Sequence, residues 1–135
     1  MKISDQPGFW FGVAALIQSV YYLFTGFWAQ VDIESFMWVT GPKTDIWLVK
    51  TVGVLIIVIG IVLLIARIRK QYTYEIILLA MGTAVALTII DIYYVLIGRI
   101  SLIYLLDAVA QLALLAMWMY GLLQAHVAPK TLAAP

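Results

Sequence analysis

The chain has 135 residues, of which 65% are hydrophobic and 11% are charged, against roughly half and a quarter in an ordinary soluble domain. A mean hydropathy of +1.06 excludes both a soluble globule and a disordered chain. Eight Lys and Arg against seven Asp and Glu leave no basic face to neutralise phosphates, which excludes nucleic acid as a partner.

A transmembrane helix needs about 20 mainly apolar residues. Segments 9–31, 46–66, 75–97 and 102–123 qualify, and they predict an all-α, four-span transmembrane helix bundle forming a single integral membrane domain. The first span is longer than a signal-peptide core and has no small-residue cleavage site at its end, so it reads as a retained span. The connection after it, 32–45, is the long one. Asp32 suits a helix N-cap, and Gly41 with Pro42 suits a stop. Phe36, Met37 and Trp38 are too apolar for an exposed loop. The segment reads either as a short interfacial helix or as a loop packed on the bundle. Gly41-Pro42-Lys43-Thr44 lacks the glycine spacing of a phosphate loop. The connection 67–74 is short and basic, and 98–101 is barely a turn. Gly98 suits a helix C-terminus and Ser101 an N-cap, which predicts a tight antiparallel hairpin of spans three and four. The tail 125–135 reads as frayed.

Lys2, Arg67, Arg69, Lys70 and Lys130 fall on the side shared by the termini and the middle connection. Lys43 and Arg99 fall opposite, with Asp32, Glu34 and Asp45. This bias predicts cytoplasmic termini. Phe9, Trp10, Phe27, Trp28, Trp38, Trp47, Tyr72 and Tyr74 gather at the span ends as an interfacial belt.

The segment from Ser19 to Gly26, with Tyr21 and Tyr22, is similar to that from Asp91 to Gly98, with Tyr93 and Tyr94. Ile46 to Gly53 is similar to Ile103 to Ala110. The two offsets differ by the extra length of the first outer connection. Both matches therefore fit one duplication of a helical hairpin about an axis along the membrane normal, or the chance likeness of apolar helices.

Lys50, Asp91 and Asp107 lie inside predicted spans. Each would cost roughly 2.5–3.5 kcal/mol if unpaired near the bilayer centre. At the helical rise all three fall within about 6–10 Å of the outer interface, where Arg99 can reach them. Lys50 is accordingly expected to contact Asp107, Asp91 or both as an intramembrane ion pair. Each span also carries a stripe suited to helix contact: Gly12, Ala15, Ser19, Tyr22 and Gly26, with Gln18 beside them, on the first; Lys50, Gly53, Ile57 and Gly60 on the second; Ala80, Ala84, Thr88 and Asp91 on the third; Asp107, Gln111, Leu114, Trp118 and Gly121 on the fourth. The bundle interior is expected to be small and polar, with bulky Ile and Leu facing lipid.

Three readings of the outer cluster stand side by side. It is a structural ion-pair network, a polar pocket for a small ligand or proton relay through Lys50, Asp91, Asp107, Gln111, Arg99 and Gln18, or a pair of catalytic carboxylates. No nucleophile–base pair or cofactor motif accompanies the carboxylates, so no catalytic residue is assigned. With no cysteine and one histidine, His126, no metal site and no cofactor are expected. His126 lies at the inner end of span four, away from the cluster.

The run Val39-Thr40-Gly41-Pro42-Lys43-Thr44-Asp45-Ile46-Trp47-Leu48-Val49-Lys50-Thr51-Val52-Gly53 resembles a segment of small four-helix bacterial membrane proteins, and the layout is similar to that of DoxX-like proteins. The resemblance implies a four-span bundle in a bacterial inner membrane and assigns no activity and no functional residues. Four-span multidrug exporters are similar in size, but their functional acid in the first span is absent here, where Gln18 and Ser19 stand. The function expected is a non-enzymatic membrane protein, either an accessory subunit or a small-ligand binder. The alternative is a proton-coupled small-solute transporter using Asp91 and Asp107. Its expected partners are the lipid bilayer and either other membrane subunits or further copies of itself.

Overall fold

The structure is a computed structural model that describes residues 7–127. Lys2, Lys130 and the tail beyond Val127 lie outside the described residues. Five helices follow in order: α1 (Pro7–Val31), α2 (Ile33–Thr40), α3 (Ile46–Arg69), α4 (Tyr74–Leu96) and α5 (Tyr104–Val127). Four of them, α1, α3, α4 and α5, are long and apolar enough to cross a membrane, which makes the chain an integral membrane protein. In hydrocarbon every backbone N–H and C=O must be satisfied within the protein, and a helix does this within a single apolar run. The observed spans match the sequence reading within a few residues, and residues 125–127 belong to the last turn of α5.

The helix ends follow their local chemistry. Asp32 caps α2, its Oδ1 accepting from the Ser35 N–H at 3.1 Å, and that donor holds its carboxyl below the ordinary carboxylate range. Gly98 has a φ of 71°. This left-handed geometry lets Gly98 N–H reach Val95 O at 3.0 Å and Arg99 N–H reach Tyr94 O at 2.9 Å, closing α4 with a Schellman motif. Lys70 does the same for α3 with a φ of 54°, donating to Arg67 O at 3.3 Å while Gln71 N–H donates to Ala66 O at 3.1 Å.

Around the bundle, α1 packs along α3 and against α5, α5 packs along α4, and α3 meets α4 only briefly. The two hairpins, α1 with α3 and α4 with α5, thus make the closest pairings. Small residues permit them. A Cβ on Gly26 would lie 2.7 Å from Gly53 O, so the two backbones are in contact there. At the end of the bundle that carries the 67–74 connection, Phe11, Ala14, Ala15, Leu63, Ala80 and Trp118 form the buried core. Gly12 leaves room there for Tyr72 and Arg67, whose nearest atoms lie 3.0 and 3.4 Å from the position of an added Cβ. Burial pushes the Tyr72 hydroxyl above its ordinary range, opposed by the Arg67 guanidinium. Leu16, Val20, Leu55, Val58, Leu78 and Ile89 point outward, as a lipid-facing surface requires.

Candidate functional site

Opposite the aromatic core the bundle opens. At the α2 end, α1, α3, α4 and α5 enclose a cavity of about 540 Å3, within the roughly 300–1,000 Å3 of small-molecule sites. Its walls are apolar, with Val49, Val52 and Ile56 from α3 facing Leu87 and Ile90 from α4. Val52 and Ile90 line the cavity and are still 47% and 48% exposed. The cavity therefore reaches the lipid-facing flank where α3 and α4 scarcely touch.

Helix α2 roofs it with Phe36 and Thr40. Trp28 on α1 ties the roof down by donating from Nε1 to Ser35 Oγ at 2.7 Å. Lys43 ties the other end of α2 to α5. Its Nζ donates to the Thr40 and Gly41 carbonyls, both at 2.9 Å, and lies 5.1 Å from the centre of the Tyr104 ring. Partial burial pushes the Lys43 ammonium below the ordinary lysine range.

The floor is polar. Tyr21 donates its hydroxyl to Asp107 Oδ1, and Gln111 Nε2 donates to the same oxygen at 3.2 Å. Tyr22 donates to Gln111 Oε1 at 2.9 Å. Below it, Gln18 Nε2 donates both to the Tyr22 hydroxyl and to Ala80 O, each at 2.9 Å. Trp118 Nε1 completes the chain by donating to Gln18 Oε1 at 2.6 Å. Gln18, Tyr22, Gln111 and Trp118 are all buried, and each needs the others, because an unpaired polar group in this setting costs about 1–3 kcal/mol. One group is left out. Asp91, on α4, is 4% exposed, lines the cavity, and has its Oδ2 buried without a hydrogen-bond partner.

Of the residues singled out in the sequence, Asp91, Asp107 and Gln111 line the cavity together, and Gln18 sits one hydrogen bond beneath it. Lys50 and Arg99 do not line it. Arg99 is exposed in the turn after α4, and Lys50 is half-buried on α3, where its backbone carbonyl accepts from Gln30 Nε2 at 2.6 Å. Among the described residues no ion pair joins Lys50 or Arg99 to either carboxylate. The expected pair is replaced by hydroxyl and amide donors, which serve Asp107 without withdrawing a second ion from water. Lys50 stands about one turn from the start of α3, where a lysine stem can carry its charge to the polar zone. Tyr21, Tyr22, Thr25 and Tyr104 also line the site and were not expected there. The paired tyrosines stood out in the repeat, but tyrosines near span ends are equally the mark of an interfacial belt. The chain matches no protein-family model, no curated protein and no solved structure.

Proposed function

We propose that the protein is a non-enzymatic membrane binder of a small molecule with an apolar body and a polar end. The observation that carries this reading is the cavity itself. Apolar walls reach the lipid-facing flank, and a polar floor at the far side holds a buried carboxylate oxygen without a partner. A molecule entering sideways from the bilayer would bury its chain against α3 and α4 and spend its head on Asp91, Asp107 and Gln111. Protein purified in a mild detergent is expected to carry such a molecule, released by organic extraction and weighed by mass spectrometry. Ile90→Trp, a bulky change at an exposed cavity-lining position, should lose it while keeping the fold. A variant that retains the same molecule in the same amount would place the binding elsewhere.

Proton-coupled transport through Asp91 and Asp107 is the second reading, favoured by the unpartnered Asp91 oxygen. The hydrogen-bond chain works against it. From Asp107 the chain runs through Gln111, Tyr22 and Gln18 to the Trp118 indole, a group that donates and cannot accept. A proton has no onward path from there along these side chains.

The charge bias of Arg67, Arg69 and Lys70 supports placing the 67–74 connection in the cytoplasm, with the cavity in the outer leaflet; that the membrane is a bacterial inner membrane rests on the resemblance of segment 39–53 alone. A cysteine at Lys43 should then react with an impermeant thiol reagent added to intact cells, and one at Lys70 should not. The reverse pattern would move the cavity to the inner leaflet.

A further inference from the structure

The charges around the cavity do not balance, and the imbalance points to the head group it takes. Two carboxyls, Asp91 and Asp107, line it, and among the described residues no Lys, Arg or His does. The cation in the roof, Lys43, is committed to the Thr40 and Gly41 carbonyls. Asp107 spends Oδ1 on Tyr21 and Gln111, and its carboxyl lies beside that of Asp91. Asp91 Oδ2 is buried and unpartnered. Buried carboxylate oxygens in native proteins are paired, hydrogen-bonded or neutralised by a proton, so the site has room for a donor, and one that carries positive charge would satisfy both carboxyls at once. Of the four lining tyrosines, Tyr21 and Tyr22 already donate to Asp107 and Gln111, and among the described residues neither Tyr94 nor Tyr104 donates to Asp91 or Asp107.

We propose that the cavity binds a lipophilic primary amine in its ammonium form, with the ammonium between Asp91 and Asp107 and the chain along α3 and α4. An ammonium offers three donors and no acceptor, which matches a floor with oxygens to spare. A carboxylate or phosphate head would meet two acids and is excluded by repulsion. An alcohol brings one donor and no charge, and its weaker hydrogen bond ranks it below the amine. The inference rests on the binding function proposed above and names the ligand class for that same site.

The test uses three twelve-carbon probes that differ only in the head, a primary amine, an alcohol and a carboxylic acid, each with a diazirine near the chain end. The full chain is placed in phosphatidylcholine nanodiscs and photolysed with each probe, and the labelled peptides are mapped by mass spectrometry. The amine probe should label the cavity-lining segments around Val52, Ile90 and Ile103 saturably. Its half-saturation should come at about tenfold lower mole fraction than that of the alcohol, the size of one charge-assisted hydrogen bond. The acid should not compete. Asp91→Asn should erase the preference for amine over alcohol, and Asp107→Asn should reduce it. If Asp91→Asn fails to fold, the comparison of heads on the unaltered protein decides alone. Equal labelling by amine and alcohol would overturn the ammonium assignment and leave a binder of lipophilic molecules standing. Preference for the acid would overturn it as well. No saturable labelling of the cavity by any probe would overturn both the assignment and the binding function beneath it.

Discussion

Gly26→Ala is expected to destabilise the bundle by about 1–3 kcal/mol, although alanine is the better helix former. The added Cβ would stand 2.6 Å from Ile57 Cγ1 and 2.7 Å from Gly53 O. A side-chain carbon can turn away, whereas a backbone oxygen moves only with its helix. α1 must therefore back off from α3, opening the bundle where these two helices pack most closely. Two controls locate the cause. Gly82 has nothing within 4 Å of its Cβ position, so Gly82→Ala should stabilise α4 by about 0.5–1 kcal/mol through helix propensity alone. Adding Ile57→Ala to Gly26→Ala should not restore stability, since the Gly53 oxygen stays in place. Thermal or denaturant unfolding in detergent measures all three. A Gly26→Ala protein as stable as the parent would mean that α1 and α3 do not touch through their backbones.

The faces of the helices were legible in the sequence. The stripes of Gly12, Ala15, Ser19, Tyr22 and Gly26 on α1 and of Ala80, Ala84, Thr88 and Asp91 on α4 are all buried, as is that on α5 except for the half-buried Asp107, whereas on α3 Gly53 and Gly60 are buried and Lys50 and Ile57 only half-buried. Small and polar residues in a lipid-spanning helix have few other places to go, so their spacing reports the contact face directly. The cap at Asp32 and the turn at Gly98 were legible for the same local reason. The pairing of charges was not. Depth along a helix put Lys50, Asp91 and Asp107 at similar heights, but height says nothing of azimuth. The azimuth of Lys50 differs from that of Gly53 and Val49, which do line the cavity. The likeness of the two tyrosine pairs does not carry over to burial. Tyr22 and Tyr94, at matching positions, both line the cavity, but Tyr22 is buried in the floor while Tyr94 is 41% exposed. Loose contact between α3 and α4 breaks the equivalence of the two halves, and no single-helix pattern carries that. The cavity is a property of the gap between helices, and it became visible only when all four were placed.

Gln18 and Trp118 are expected to be energetically coupled across the bundle. Gln18→Leu conserves most of the side-chain volume, so its cost should come from hydrogen bonds. It strands the Trp118 Nε1 donor, whose acceptor is Gln18 Oε1 at 2.6 Å, and it removes the link from α1 to Ala80 O on α4. Tyr22 stays satisfied, because its hydroxyl still donates to Gln111. One stranded donor in a fully buried setting predicts a loss of about 1–3 kcal/mol. Trp118→Phe should cost about as much or more, since it orphans Gln18 Oε1 and leaves a space beside Phe11, whose ring centre lies 5.9 Å from that of Trp118. The double variant is the informative one. With both partners apolar no orphan remains at this contact, and its destabilisation should fall short of the summed single losses by about 0.5–3 kcal/mol. A double-mutant cycle on unfolding free energies in one detergent gives the number. Losses that add to within about 0.5 kcal/mol would mean that the Gln18–Trp118 bond contributes nothing. The anchor of the cavity floor would then have to be sought at Tyr22 and Gln111 instead.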